Sequence, residues 1–157
     1  MRLKSGHFKY QVLSDKEKKN LMLLDIIIQK GPISRTDISK ETDLNIVTVS
    51  NYVNNYIEKS LVVEKGFDIS SGGRKPTLVE LDASGGYAIG VDVGPVEEVA
   101  IMTDLSAKII WKEKRKRPQG HMEEVIKVAM DLLADIVANS KIPREKIMAV
   151  GFGISWV

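Results

Sequence analysis

Residue types that often build active sites are missing or scarce in this sequence. It has no cysteine, which excludes disulfides, thiol nucleophiles and cysteine-based zinc or iron–sulfur sites. Its only two histidines, His7 and His121, stand far apart, so no His-x-x-x-His pair is available for a metal. No apolar run approaches the roughly 18 residues of a membrane helix. Residues 1–4 include two basic residues, and no apolar stretch follows them, unlike a secretory signal. We therefore expect a cytoplasmic protein with no metal, cofactor or membrane partner.

The sequence also lacks a strong excess of charge of either sign. Lys and Arg total 23 and Asp and Glu total 21, which gives a formal net charge of +2 over 157 residues. Composition is that of a globular protein, at 43% hydrophobic and 28% charged residues. Its length allows one full domain or two small ones. Bulk charge therefore gives no argument for nucleic acid, and any such argument depends on where particular residues lie.

The spacing of apolar residues changes near residue 60 and indicates two regions. Up to about Lys59 the apolar residues recur at helical spacing, and from Leu61 onward they form short Val- and Ile-rich runs broken by glycine. We place the domain boundary after Asp82, which gives domains over residues 1–82 and 83–157. The first dozen residues carry no pattern and are expected to form a loose arm.

The first region is predicted to contain three helices, over residues 16–29, 34–41 and 46–59. The first is apolar on two faces, so it is either deeply buried or shared with a partner subunit. Ser34 and Asp37 have the spacing of a capping box at the start of the second helix. Asn45 is a good N-cap for the third.

The third helix has an outer face that is small and rich in amides. Its inner side is predicted to carry Ile46, Val49, Val53, Tyr56 and Ile57. Its outer side carries Val47, Thr48, Asn51, Asn54 and Asn55. Asparagine weakens a helix, so three on an exposed face need a reason. Asparagine can pair with adenine in the major groove, and Thr or Val can touch a thymine methyl; a tolerated polar surface is the alternative.

A short helix, a tight turn and a second helix with a polar outer face are typical of a helix-turn-helix. Strands are predicted at 61–64 and 77–81, and the segment between them makes a hairpin like the wing of a winged helix. Its tip, residues 72–76, reads Gly-Gly-Arg-Lys-Pro. Arg74 and Lys75 suit a narrow minor groove, although an ordinary solvated turn has the same composition.

The second region is predicted to run strand, strand, strand, helix, strand. The predicted ranges are 86–94, 96–103, 107–116, 122–139 and 147–154. This is the order of the first elements of a ribonuclease-H-like or actin-like α/β domain. The whole chain is therefore expected to be mixed α/β. The basic run at 112–117 either contacts phosphates nonspecifically or is the solvated end of a strand, where lysine also blocks edge pairing.

Three features together resemble the ROK family of repressors and kinases, especially its sugar-responsive repressors of the xylose-repressor type. They are the helix-turn-helix with Thr48, Val49, Ser50 and Asn54, the Gly-Gly-Arg-Lys-Pro wing, and the strand at 89–94. The resemblance runs from about residue 21 to the last residue. It implies a repressor that binds double-stranded DNA, as a homodimer on a two-part operator. The predicted DNA-binding residues are Ser34, Arg35, Val47, Thr48, Ser50, Asn51, Asn54, Asn55, Arg74 and Lys75.

In the family's sugar kinases the corresponding strand leads into Asp-x-Gly-x-Thr, which contacts ATP phosphates. This chain keeps Asp92 and Gly94 but continues Pro95-Val96-Glu97-Glu98. The hydroxyl is missing, proline removes a backbone donor, and two acidic residues would repel phosphate. We therefore predict a vestigial phosphate loop and no enzyme activity. An ATP-dependent sugar kinase with an N-terminal extension, and a winged helix that binds protein, remain as alternatives.

The resemblance also implies that the family's sugar-contacting residues lie beyond this chain. A sugar effector is therefore expected for the intact family architecture and not for this chain. A sheet that stops here would have an exposed edge, which a second chain could cover.

Overall fold

The structure, a computed structural model, describes residues 13–67 and 77–155. The first part of the chain forms α1 (Asp15–Lys30), β1 (Ile33–Ser34), α2 (Arg35–Thr42), α3 (Ile46–Glu58), β2 (Val62–Phe67) and β3 (Thr77–Leu81). A 3₁₀ turn follows at Ala83–Gly85. The second part forms β4 (Tyr87–Val93), β5 (Glu97–Asp104), β6 (Ile109–Lys116), α4 (Met122–Asn139), a 3₁₀ turn (Arg144–Lys146) and β7 (Ile147–Ile154). The mixed α/β class expected from the sequence is confirmed.

The first group of elements packs three helices against a small antiparallel sheet in the order β1-β3-β2. Its buried core consists of Leu23, Ile27, Ile33, Ile38, Val49, Val53, Tyr56, Val62 and Val79. One apolar face of α1 is buried in this core through Leu23 and Ile27, and from the other face Leu24 packs against it. Leu21 and Ile28 are each about half exposed, at 52% and 51%, so burial in the core does not account for the second face.

Polar side chains begin the three helices of the first group. Ser14 and Glu17 form a capping box at α1, and the side chain of Asn45 accepts a hydrogen bond from the Thr48 N–H at the start of α3. Each such cap satisfies a backbone donor that the helix leaves free, which is why these residues set the helix starts. The sequence did not predict β1, because its two residues are too few to show a period.

The second group is a four-stranded sheet in the order β6-β5-β4-β7, with α4 on one face. β4, β5 and β6 are antiparallel neighbours, and β7 returns parallel to β4 after α4. The core between the sheet and α4 consists of Ile89, Val91, Val93, Ala100, Met102, Val125, Ala129, Leu132 and Ile136. The bounds of α4 and β7 match the predicted ranges, and this core has no residue in common with the first.

The two edges of the larger sheet differ in character. β6 is an edge strand that exposes Lys112, Lys114 and Lys116, in agreement with the solvated-strand interpretation of the basic run. β7 lies at the opposite edge of the sheet that the described residues form, and it exposes Phe152 and Ile154. Among the described residues, no helix is long and apolar enough to cross a membrane.

Candidate nucleic-acid interface

The outer face of α3 is the main candidate site. Val49, Val53 and Tyr56 are buried on its inner side, which leaves the opposite side to solvent. On that side Val47 is 66% exposed. Asn51, Asn54 and Asn55 are exposed as well, and Thr48 and Ser50 are half-buried. One position differs from expectation: Ile46, predicted for the inner side, is 44% exposed, and it is the first residue of the helix.

A tight turn between α2 and α3 sets the angle of this face. Asp43 adopts the left-handed conformation at φ 53°, which aspartate tolerates better than most residues. The Thr42 hydroxyl donates to the Ile38 carbonyl at 2.8 Å, and the Ser39 hydroxyl donates to the Leu44 carbonyl at 2.5 Å. These bonds satisfy carbonyls at the end of α2 and in the turn.

A buried tyrosine connects α3 to α1. The Tyr56 hydroxyl donates to the Asn20 carbonyl at 2.7 Å. Burial, with a smaller contribution from Tyr52, raises the pKa of Tyr56 to about 12. The register of α3 against α1 is therefore fixed by a hydrogen bond as well as by apolar packing.

Three of the predicted contacts line one open groove between α3 and the start of α1. The groove has a volume of about 760 Å³. Thr48, Asn51 and Asn55 form its α3 side, and Lys16 and Lys59 also line it. Sequence reasoning missed both lysines, because nothing in their local sequence separates them from other solvated lysines such as Lys18 and Lys19.

Arg35 and Asn54, both predicted as DNA contacts, are bonded to each other. The Arg35 guanidinium donates to Asn54 Oδ1 at 2.8 Å and to Glu64 Oε1 on β2 at 3.0 Å. These partners lie 19 and 29 residues from Arg35 in the sequence. Such a distance explains why the sequence pattern did not identify Glu64 as part of the site.

Ser34 is located differently from the other predicted contacts. It is 2% exposed, its Oγ accepts from the Asp37 N–H at 3.1 Å, and its hydroxyl donates to Asp37 Oδ2 at 2.6 Å. The bond from Ser34, followed by one from Lys40, lowers the pKa of Asp37. Ser34 is therefore the cap of α2, and its side chain lies inside, away from the exposed face of α3.

The β2–β3 hairpin lies beside the helices as an antiparallel pair, with Val62 opposite Leu81 and Phe67 opposite Thr77. Lys65 and Glu80 form an ion pair across it at 2.7 Å. The predicted tip, with Gly72, Gly73, Arg74 and Lys75, lies outside the described residues, so contacts from it stay predictions.

The loop after β4 uses its backbone on internal bonds. The Gly94 N–H donates to the Glu97 carbonyl at 3.1 Å, and the Arg117 guanidinium donates to the Gly94 carbonyl at 3.0 Å. A Cβ at Gly94 would lie 2.7 Å from the Glu97 oxygen, closer than real Cβ atoms come. Asp92 is exposed nearby. The Gly94 N–H is therefore engaged within the protein and is not presented to a phosphate.

The expectation that both Glu97 and Glu98 repel phosphate is wrong for Glu98. Its side chain is fully buried, and neither of its carboxylate oxygens has a hydrogen-bond partner among the residues that the structure describes. Glu98 shares a face of β5 with Ala100 and Met102, since residues two apart point the same way. Burial raises the pKa of Glu98, and Arg117 opposes that shift. Only Glu97 is exposed, paired with Lys114 at 3.0 Å.

Comparison with known proteins identifies relatives along most of the chain. A xylose repressor of Bacillus subtilis is 33% identical over 141 residues, which is 88% of this chain and 36% of that protein. A xylose repressor of Caldicellulosiruptor bescii is 33% identical over 140 residues, 88% of this chain and 35% of that protein. The DNA-binding transcriptional dual regulator NagC of Escherichia coli is 24% identical over 135 residues, 86% of this chain and 33% of NagC. No family model matches the chain.

A solved structure shows that the fold is also shared. The crystal structure of a ROK family transcriptional regulator, a homologue of the E. coli Mlc protein, matches with a TM-score of 0.65 at 18% identity. The match covers 88% of this chain and 35% of the other. The resemblance predicted from the sequence is thus confirmed. The chain is similar to the xylose repressors over most of its length, shares the fold of a ROK family transcriptional regulator, and spans about a third of the length of the relatives it matches.

Proposed function

We propose that this chain carries the DNA-binding part of a ROK-type transcriptional repressor that controls sugar-utilisation genes. Residues 1–82 would form a winged helix-turn-helix, with α2 and α3 as the helix pair and the β2–β3 hairpin as the wing. Residues 83–157 would form the opening of an actin-like α/β domain. The order of the elements and the separate cores support this division.

The observation that carries the proposal is the outer face of α3. It presents three exposed asparagines beside Thr48 and the exposed Val47, on a helix whose other side is firmly packed. Amide side chains pair with base edges in the major groove, and Val or Thr contacts thymine methyls. A recognition helix uses these groups, and Thr48, Asn51 and Asn55 line one groove with two lysines that could meet phosphates.

The wing would add contacts in the adjacent minor groove through Arg74 and Lys75. Arg74→Ala should weaken binding and reduce the slope of log affinity against log salt by about 0.9, because each phosphate contact contributes about that much. Fluorescence anisotropy with a labelled duplex at several salt concentrations measures both quantities. An unchanged affinity and slope in the variant would remove the wing from the interface.

Homodimer formation on a two-part operator would follow from the second apolar face of α1. Leu21, Met22 and Ile28 are substantially exposed there, and exposed apolar patches mark interaction surfaces. In the longer relatives named as xylose repressors, we infer that a sugar effector acts through residues outside this chain. The protein would work in the cytoplasm.

We propose no enzymatic activity for this chain. Relatives along most of its length are named as repressors, and the loop after β4 uses its own Gly94 N–H and carbonyl internally. A coupled assay with ATP and a panel of sugars tests this directly. Turnover above the level of a heat-denatured control would favour the kinase alternative.

The experiment that tests DNA binding is an anisotropy titration of a mixed-sequence duplex, containing A·T pairs, at several salt concentrations. Binding that weakens steeply with salt is expected, because phosphate contacts release counterions. Circular dichroism on the same sample shows whether the protein is folded. Folded protein with no binding at low salt would contradict the proposed function.

A further inference from the structure

The two hydrogen bonds donated by Arg35 connect the three elements that are proposed to lie against DNA. Arg35 is the first residue of α2, Asn54 lies on the exposed face of α3, and Glu64 lies on β2 of the hairpin. The guanidinium reaches Asn54 Oδ1 at 2.8 Å and Glu64 Oε1 at 3.0 Å. Side-chain exposure is 23% for Arg35 and 51% for Glu64, so the arginine is the more enclosed of the two.

The chemistry of this bond determines how the Asn54 amide is turned. A guanidinium has only donors, so the atom of Asn54 that meets it must be the oxygen. With Oδ1 directed at Arg35, the NH₂ group of Asn54 is the part left for an outside partner. Among the described residues, no hydrogen bond fixes the side chains of Asn51 or Asn55 in this way, so either can turn to suit a base.

This orientation changes which base Asn54 would recognise. Pairing with adenine requires an asparagine to accept from N6 and donate to N7 at the same time. Asn54 directs its oxygen at Arg35, so the group that it offers to an outside partner is the NH₂, with its two donors. The base edge that presents two acceptors in the major groove is that of guanine, through N7 and O6.

Glu64 keeps Arg35 in this position and compensates its charge. The guanidinium of Arg35 already donates to a carboxylate and to an amide, so it is less available to a phosphate than the guanidinium of an unpaired arginine. The bond therefore favours a role for Arg35 through Asn54 over a direct contact with the DNA backbone.

We propose that Arg35, held by Glu64, is a positioning residue that makes Asn54 a hydrogen-bond donor toward guanine in the operator. This inference rests on the proposed function, since it concerns which base the α3 face selects. Asn51 and Asn55, whose amides can turn, would still be able to pair with adenine.

The test is selection of bound duplexes from a randomised library, followed by sequencing, with the wild-type chain, Asn54→Ala and Arg35→Ala. The wild type should select guanine over adenine about tenfold at one position, since good base contacts contribute about 1–3 kcal/mol. Asn54→Ala should lose this preference. Arg35→Ala should shift the same position toward adenine and leave the others unchanged, because its Asn54 is free to turn.

Two further measurements separate positioning from a direct contact or a folding defect. In Arg35→Ala, the slope of log affinity against log salt should equal that of the wild type, since no phosphate contact is lost. Asn55→Ala is the matched control and should alter a different position. Thermal unfolding of each variant shows that α3 is folded in the comparison.

The inference would be overturned by an Arg35→Ala variant whose base preferences match the wild type. It would equally be overturned if that variant lost affinity uniformly across sequences and its salt slope fell by about 0.9, the mark of a phosphate contact. Failure of the proposed function looks different: the folded wild-type chain would then bind no duplex at low salt, and both ideas would be overturned.

Discussion

One helix face in each region of the molecule shows how differently their exposed surfaces are built. In the first, the exposed side of α3 is polar, and the buried polar groups Ser34 and Tyr56 are hydrogen-bonded. In the second, α4 and β7 expose a band of large apolar side chains: Met122, Ile126, Met130, Val150, Phe152 and Ile154. An apolar band of this kind marks an interaction surface, whereas an amide-rich face favours base edges.

The comparison also extends to buried polar groups. Tyr56 and Ser34 each have partners, but Glu98 in the second region has none among the described residues. An unpartnered buried carboxyl costs free energy on folding. The first region thus has hydrogen-bonded polar groups in its interior, and the second contains a buried acid without a hydrogen-bond partner among the described residues.

The largest expected effect tests whether the two cores are independent. Leu23 on α1 and Leu132 on α4 are both fully buried leucines in helices, so Leu23→Ala and Leu132→Ala are a matched pair. Each should destabilise its own group by about 2–5 kcal/mol, the usual cost of such a cavity. Hydrogen exchange should show lost protection in the mutated group alone. Loss of protection across both groups from either variant would mean one cooperative unit.

The next prediction concerns the buried carboxyl of Glu98, whose contribution to the free energy of unfolding depends on pH. The pKa of Glu98 is raised above its ordinary 4.5 in the folded state, so the folded protein holds the proton more tightly than the unfolded chain. Stability therefore falls as pH rises from about 4.5 through the folded pKa, and the cost is constant above it. Glu98→Gln should remove this cost and stabilise the second region at pH 7 by about 1 kcal/mol.

Denaturant unfolding at pH 4 and pH 7 checks the Glu98 prediction. The gain should be much smaller at pH 4, where the carboxyl is mostly protonated in both states. Glu97→Gln, on the same strand but exposed and paired with Lys114, is the control and should show no such gain. A Glu98→Gln variant that is less stable than the wild type at pH 7 would show that the carboxylate is compensated after all.

An effect of similar size tests the account of the first region. Tyr56→Phe removes the hydroxyl that bonds to the Asn20 carbonyl at 2.7 Å and should cost about 0.5–1.5 kcal/mol. Tyr52→Phe is the control, because the Tyr52 hydroxyl lies 3.4 Å from the Lys16 carbonyl, too far for a strong bond. Equal losses in the two variants, measured by urea unfolding, would contradict the importance of the Tyr56 bond.

The sequence predicted elements whose signals are local. Asn45 was identified as the cap of α3, and the ranges of α4 and β7 agree with the structure, since caps and apolar periods act over a few residues. The fully buried Glu98 was missed, because Glu97, Glu98, Val99 and Ala100 show no alternation from which to choose the inner face. The Arg35–Glu64 bond was missed because it spans 29 residues, a distance over which no sequence period operates.

The central claim is that the outer face of α3 contacts DNA. The most direct measurement compares the affinity of one duplex, at one salt concentration, for the wild type, the Asn51→Ala/Asn55→Ala double variant and Asn139→Ala. Asn139 is an exposed asparagine at the end of α4 and serves as the matched control. We expect the double variant to bind at least about tenfold more weakly, from the loss of two base contacts, and Asn139→Ala to bind as the wild type does. Equal affinity for all three proteins would contradict the claim.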